Sequence, residues 1–152
     1  KTAILVQDAA YMVVVPNIVP DIPPLKKNPV FLYMEDSFKK PYPFQPDIAV
    51  DVSDVYKLKI NALAAHKSQF FEWLPWVDGQ LAEVPKDDNK KAEWLGRLWK
   101  LEITSEVRSS LAKWYGKDKA EKITDAEAFE ICEYGRRPDD GEIRQLFPML
   151  GK

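Results

Sequence analysis

The sequence predicts an α/β fold built around one hydrophobic core. Its 152 residues are about the length of one domain, and 45% of them are hydrophobic, which is enough to form such a core. Segments with a helical spacing of apolar residues alternate with short β-type runs. One of these runs, residues 47–53, ends in an Asp, Ser, Asp turn and leads directly into a helix. That arrangement is typical of layered α/β folds.

The first third of the chain predicts one helix, one irregular connection and two strands. Helical spacing extends from Thr2, a suitable N-cap, to about residue 15. Residues 16–29 contain five prolines, which exclude a helix and favour an ordered, partly extended connection. The runs at residues 30–36 and 47–53 have strand character.

The middle of the chain predicts three helices. Ser53 occupies an N-cap position with Asp54 in the first turn, and the helix continues to about Phe71 before Pro75 and Gly79 break the pattern. A second helix carries an apolar stripe, and a third extends from Thr104 to Tyr115, where Gly116 closes it. The stripe of the second helix consists of Trp94, Leu95, Leu98 and Trp99.

The C-terminal part predicts a short extended segment followed by a last helix. Phe129 and Ile131 are two residues apart, so they share one face of the extended segment. The polar residues 136–143 then form a turn into a helix that packs Ile143, Leu146 and Phe147.

The composition argues against nucleic-acid binding, an internal disulfide and a membrane span. Lysine and arginine number 22 against 24 acidic residues, and a net charge of −2 creates no field that would attract nucleic acid. The one cysteine, Cys132, cannot form an internal disulfide. Because no apolar run approaches the roughly 20 residues of a membrane span, we expect no membrane span and a cytoplasmic location.

His66 is the one histidine and the first candidate for chemistry. In a helix it shares a face with Ala62, Leu63 and Phe70, so we expect it to be buried and hydrogen-bonded. On these residues alone, a structural histidine is favoured over a ligand or base.

The metal-ligand content also argues against a zinc site within this chain. Catalytic zinc takes about three protein ligands, and the chain offers one histidine and one cysteine far apart in sequence. Acidic residues could add ligands, but their obvious clusters lie in polar loops, where solvated charges are the better interpretation. We therefore expect no metal site and no catalytic residue here.

The five tryptophans suggest either core packing or a surface that stacks on sugar rings. Trp94 and Trp99 share their helical stripe with leucines, so core packing is favoured. Trp73 and Trp76 flank a helix end, where we also favour packing, although with less support from the pattern.

Two internal segments and the first ten residues resemble the PIG-L/LmbE family of zinc-dependent N-deacetylases. Residues 51–70, DVSDVYKLKINALAAHKSQF, are similar to the late strand, turn and helix of that family, ending in its His66, Ser68, Gln69 signature. Residues 125–136, DAEAFEICEYGR, resemble the element that follows near the family's C-terminus. Residues 1–10, KTAILVQDAA, are similar to the helix after the family's H-x-D-H motif.

The resemblance implies a Rossmann-like three-layer fold, of which residues 1–152 are the C-terminal part of a single LmbE-like domain. It also implies a parent enzyme that hydrolyses N-acetyl groups of amino-sugar conjugates with zinc. In the family, the zinc ligands belong to an H-P-D-D-E motif and the later histidine of H-x-D-H, which both precede Lys1 in this alignment. His66 and Gln69 match the late signature, and the resemblance gives them a role in substrate binding or in supporting the site.

Further expectations follow for activity and partners. This chain alone lacks the metal ligands, so we expect it to be inactive without the N-terminal part of the domain. An apolar face should remain for that missing part or for self-association. The alternative is a non-catalytic binding or assembly module of the same fold, in which the tryptophans contact a sugar or a protein.

Overall fold

A computed structural model of the chain describes residues 1–100 and 102–151, in which α-helices and β-strands are mixed. The α-helices within this range are α1 (Thr2–Met12), α2 (Tyr56–Ala64), α3 (Leu74–Val77), α4 (Asp88–Leu98), α5 (Ser105–Tyr115), α6 (Lys117–Ala120) and α7 (Asp140–Leu146). The strands are β1 (Leu32–Met34), β2 (Ile48–Asp51) and β3 (Ala126–Ile131). Two 3₁₀ turns (Ser53–Val55 and Leu81–Glu83) and one π-helix (Gln69–Trp73) connect these elements.

The strands form a small sheet in the order β1-β3-β2, with β3 in the centre. Both pairings are antiparallel, and Phe129 lies opposite Met34 on one side and Ile48 on the other. The prediction of an α/β fold that is rich in helices and has a few short strands is therefore confirmed.

Helix α5 covers the outer edge of β2 through two aromatic side chains. The indole N–H of Trp114 donates to the Asp47 carbonyl (3.0 Å), and the Asp51 backbone N–H donates to the Tyr115 hydroxyl (3.1 Å). An unpaired strand edge invites association with other chains. These side-chain contacts satisfy backbone groups of that edge and fix the helix against the sheet.

The core has two parts. The sheet packs against α5, α6 and α7 through two groups of buried residues, one around Leu111 and Ala128 and the other around Ile48 and Trp114. A separate cluster joins α2, the π-helix and α4. Its buried members are Ile60, Phe70, Phe71, Trp94 and Leu95.

Several predicted elements are confirmed closely. Thr104 caps α5 by accepting a hydrogen bond from the Val107 backbone N–H (3.3 Å), and Gly116 ends the helix with φ of 82°. Phe129 and Ile131 pack into the same cluster, as their spacing predicts. In the last helix Ile143 is buried, whereas Leu146 is half exposed.

The predicted N-caps at Thr2 and Ser53 are wrong. The N-cap of α1 is Lys1, without a side-chain hydrogen bond, and the helix ends at Met12. Ser53 begins a 3₁₀ turn, and α2 starts only at Tyr56. The Ser53 hydroxyl instead accepts from the backbone N–H groups of Thr124 and Asp125, each at 3.2 Å. A distant segment of chain therefore competes with the helix for this hydroxyl group.

Among the described residues, no helix combines the length and the apolar character that crossing a membrane requires.

Candidate functional site

His66 lies in the link between α2 and the π-helix, and its side chain is exposed. The prediction that His66 is buried is wrong. The physical reason is that α2 ends at Ala64, so the helical face that contains Leu63 does not continue through residue 66. The hydrogen bonds at this position come from the backbone, where the His66 carbonyl accepts from the N–H groups of Gln69 and Phe70, both at 3.1 Å.

Gln69 is the first residue of the π-helix and is also exposed. The next two residues, Phe70 and Phe71, turn inwards and are buried against α4. π-Helical turns are rare and often occur at functional sites. His66 and Gln69 are thus both exposed at or beside an unusual helical turn, where each can contact a molecule or a chain outside this one.

The described residues do not by themselves fit a catalytic zinc ion. Within residues 1–100 and 102–151, no three histidine, cysteine or acidic side chains are grouped so that they could hold a metal.

Cys132 is buried, and its thiol donates to the Tyr33 hydroxyl at 3.1 Å. Burial, and then this contact with Cys132, raises the pKa of Tyr33.

The two segments that carry the family resemblance lie side by side. Strand β2 and strand β3 are paired, and Asp51 of the first segment lies opposite Ala126 of the second. From α2, the ammonium group of Lys59 forms an ion pair with the Glu127 carboxylate, and only 22% and 24% of these two side chains are exposed. The helix of the first segment is therefore fixed to the strand of the second by a largely buried pair of charges.

Glu35, which follows β1, belongs to the same group of charges. Burial raises its pKa, the nearby Glu127 carboxylate raises it further, and the Lys59 ammonium group partly offsets both effects. Two carboxylates thus share one cation at this position. A carboxyl group that binds its proton more tightly than usual is suited to proton transfer, although ion pairs inside a fold have the same signature.

The turn after β2 is fixed by the segment that precedes β3. The Val52 N–H donates to the Asp125 carbonyl (3.0 Å), and the Ser53 hydroxyl bonds to the backbone of Thr124 and Asp125. Farther along, the Tyr56 hydroxyl donates to the Gly96 carbonyl at 2.7 Å. The start of α2 therefore has fixed contacts to both β3 and α4.

A large open groove lies beside β1. Its volume is about 1350 Å³, and its lining includes Ala3 of α1, Tyr33 of β1 and Glu130 of β3, together with Arg137 and parts of the loop 36–47. Polar, charged and aromatic side chains all contribute to its lining.

The tryptophans divide into two groups. Trp94 is 9% exposed and packs against Phe71, which confirms its predicted place in the core. Core packing is wrong for Trp99, which follows the end of α4 at Leu98 and is 39% exposed, although its ring contacts Phe70 edge to face with ring centroids 4.9 Å apart. It is also wrong for the other two, because Trp73 is 55% exposed and Trp76 is 68% exposed.

The sequence contains a signal that distinguishes these groups. Phe70, Phe71 and Leu74 are spaced as one face of a helix that turns towards the core, and Pro75 follows on the same side. Trp73 and Trp76, three residues apart, must then share the opposite face. The exposure of Trp73 and Trp76 therefore follows from their spacing relative to Phe70, Phe71 and Leu74.

No protein-family profile, curated protein or solved structure matches this chain.

Proposed function

We propose that this chain is the C-terminal part of a zinc-dependent N-deacetylase that removes N-acetyl groups from amino-sugar conjugates. The proposal starts from the resemblance of residues 51–70 and 125–136 to the PIG-L/LmbE family. The observation that carries it is the contact between these two segments, through the pairing of β2 with β3 and the ion pair of Lys59 with Glu127. This contact supports the proposal because the resemblance assigns both segments to one domain.

The local structure of residues 48–69 supports the same interpretation. Strand β2 leads through the turn at Ser53–Val55 into α2, as the resemblance requires. The signature residues His66 and Gln69 then lie on the surface. Exposed polar side chains at this position can form one wall of a site whose remaining residues come from outside residues 1–152.

The proposal includes a Rossmann-like parent domain of which this chain is the C-terminal part. The antiparallel sheet of β1, β3 and β2 would then be an extension beside the parallel sheet of the parent. The predicted parallel strands and their crossover helices would come from the N-terminal part. In layered α/β folds, sites form at the carboxyl ends of parallel strands, from loops that are distant in sequence.

The zinc ligands of the proposed enzyme do not belong to this chain. The family motifs H-P-D-D-E and H-x-D-H would supply them, and zinc would provide a Lewis acid and an activated water molecule when bound. Thr2 and Ala3 match the positions just after the second motif. Ala3 also lines the large groove beside β1. This supports the proposal, because a motif just before Lys1 would be close in sequence to a residue of that groove.

The residues of this chain would bind and orient the substrate. His66 can donate or accept a hydrogen bond through its ring nitrogens, and the Gln69 amide can do both at once. Such groups suit the hydroxyl and acetamido groups of an N-acetylated sugar. Lys59 and Glu127 hold α2 against β3 and thereby fix the helix that leads to the link carrying His66.

The test uses the protein extended N-terminally through both motifs. Acetate release from N-acetylglucosamine conjugates is measured for the wild type, for His66→Ala and for Gln69→Ala. We expect turnover by the wild type and a loss of at least tenfold in kcat/KM in the two variants, which corresponds to about 1.4 kcal/mol. Asn61→Ala, at another exposed position of α2, should keep the wild-type rate.

The alternative is a non-catalytic binding or assembly module of the same fold. The exposure of Trp73 and Trp76 favours it, since an exposed aromatic surface is typical of binding sites. An extended protein that binds sugar conjugates without releasing acetate would favour the module over the enzyme.

A further inference from the structure

We propose that Trp73, Trp76 and Leu81, together with Glu72 and Ser68, form a binding site for an amino sugar with a protonated amine. These five residues line a shallow cavity of about 410 Å³ on the outer face of the π-helix and α3. We call it the tryptophan cavity. The inference depends on these side chains alone and does not require that the parent protein is a deacetylase.

The two indole rings are held in place by the core beneath them. Phe70, Phe71 and Pro75 are buried on the inner side of the same helical segment. Phe71 contacts Trp94, with ring centroids 6.3 Å apart, and Phe70 contacts Trp99. Because the inner face is fixed by this packing, the backbone that presents Trp73 and Trp76 to solvent is rigid. A preformed surface loses less entropy when it binds a ligand.

The chain then reverses direction and brings Leu81 to the cavity. Gly79 has φ of 72°, a conformation that favours glycine because it has no Cβ. The Gln80 N–H donates to the Pro75 carbonyl at 2.7 Å, and the Gly79 N–H donates to the Trp76 carbonyl at 3.2 Å. These bonds close the turn, so the 3₁₀ turn Leu81–Glu83 packs back beside the indole rings.

The chemistry of the lining selects a class of ligand. A pyranose ring has apolar C–H faces that pack on indole rings, and its hydroxyl groups need hydrogen-bond partners such as Ser68 and Glu72. Tryptophan is also the aromatic residue that attracts cations most strongly. Glu72 is the one charged residue of the lining, which therefore suits a cation and disfavours phosphates and acidic sugars.

Glu72 also argues against a purely apolar occupant. A second copy of this chain, or an apolar helix of another protein, would cover the carboxylate and leave it without a partner, which costs free energy. A protonated amino sugar supplies the apolar ring face, the hydroxyl groups and the cation in one molecule. It therefore satisfies the indole rings, Ser68 and Glu72 together.

The test measures binding of three trisaccharides to the chain by calorimetry, without added metal. The probes are the glucosamine trimer, its N-acetylated form and cellotriose, at a pH below the pKa of the sugar amine. We expect the glucosamine trimer to bind most tightly. Trp73→Ala and Trp76→Ala should each weaken its binding by about threefold or more, in line with the loss of one exposed cation–π contact.

Glu72→Gln separates the charge from the ring contacts. This variant should bind the glucosamine trimer as weakly as its N-acetylated form, with little change for cellotriose. Glu93→Gln, at an exposed glutamate of α4, is the matched control and should leave all three affinities unchanged. Thermal melts confirm that each variant is folded, which we expect because the altered side chains are exposed.

Several results would overturn the proposal. These are no binding of the glucosamine trimer at millimolar concentration, equal binding after loss of either tryptophan, or a preference for the N-acetylated form. Self-association that Trp76→Ala abolishes, in the absence of sugar binding, would instead identify the tryptophan cavity as a contact between two copies. A failure here leaves the deacetylase proposal intact, because acetate release is measured separately on the extended protein.

Discussion

The ammonium group of Lys59 on α2 is paired with the carboxylate of Glu127 on β3, with about three quarters of each side chain buried. This ion pair connects residues that are 68 positions apart in the sequence. It fixes the helix that leads to His66 against the central strand of the sheet. Glu35 lies close enough to influence both charges, so the cluster contains two carboxylates and one cation.

Removing the cation should destabilise the fold more than removing one carboxylate. Lys59→Met leaves Glu35 and Glu127 facing each other without a counterion, and we expect a loss of about 2 kcal/mol. Glu127→Gln removes the carboxylate that pairs with Lys59 but also removes its repulsion of Glu35, so we expect a smaller loss of about 1 kcal/mol. Urea unfolding of both variants measures the difference.

The matched control for this cluster is the exposed ion pair of Arg97 with Glu93. Their side chains are 68% and 72% exposed, and pairs of this kind contribute about 0–1 kcal/mol. Glu93→Gln should therefore shift the midpoint of unfolding very little. Equal losses for Glu93→Gln and Lys59→Met would show that the Lys59 cluster has no special role in stability.

Glu35 should make the stability of the fold depend on pH. Its pKa in the folded state is raised above the ordinary value of 4.5, so the fold is more stable when this carboxyl group is protonated. This stabilisation is fully present below pH 4.5 and is lost as the pH rises through the raised pKa. Glu35→Gln avoids the loss because glutamine stays uncharged. We expect the variant to melt at a higher temperature than the wild type near pH 7, with a difference that vanishes by about pH 4.

Glu142 provides the opposite case for the same experiment. The hydrogen bond from Arg136 holds the pKa of Glu142 below its ordinary value, so the ionised carboxylate stabilises the fold. This stabilisation is present above the ordinary pKa and is lost as the pH falls through the lowered pKa. Glu142→Gln should melt at a lower temperature than the wild type near pH 7. Finding the same sign for Glu35→Gln and Glu142→Gln would contradict these assignments.

His66→Ala should leave the stability of this chain almost unchanged. The imidazole is exposed, and exposed substitutions usually change the free energy of unfolding by less than about 0.5 kcal/mol. Thermal melts of His66→Ala and Asn61→Ala should coincide with the wild type. A loss above 1 kcal/mol, as expected for a buried histidine with an unsatisfied partner, would restore the structural role that the sequence suggests.

The tryptophans should differ sharply in their effect on stability. Trp94→Ala removes a buried ring from the cluster of α2, the π-helix and α4, and we expect a loss of about 3–5 kcal/mol. Trp76→Ala removes an exposed ring and should cost less than about 1 kcal/mol. Urea unfolding of the two variants tests this, and similar losses would mean that Trp76 belongs to the core.

Local signals in the sequence predicted most of the elements. The helix that ends at Tyr115, its stop at Gly116 and the alternation around Phe129 depend on interactions within a few residues, and the structure has each of them. The order and direction of the strands depend on contacts between distant segments. The antiparallel pairing of β3 with β1 and β2 was therefore not predictable from these local patterns.

The errors at Ser53 and His66 have one physical cause. Helical periodicity across residues 53–71 assumes one continuous helix, whereas the hydroxyl group of Ser53 bonds to Thr124 and Asp125, and the helix is interrupted after Ala64. Once the helix breaks, the face assigned to His66 no longer applies. A tertiary contact thus overrides local propensity at Ser53, and at His66 the assumed helical face ends with α2.

The central claim is that residues 1–152 belong to a zinc-dependent deacetylase whose metal ligands lie upstream in the family alignment. The most direct measurement is zinc content by elemental analysis, together with acetate release from N-acetylglucosamine conjugates. Both are measured on residues 1–152 and on the protein extended through the H-P-D-D-E and H-x-D-H motifs. We predict stoichiometric zinc and turnover in the extended protein and neither in residues 1–152. An extended protein without zinc and turnover, or a short chain with both, would contradict this account.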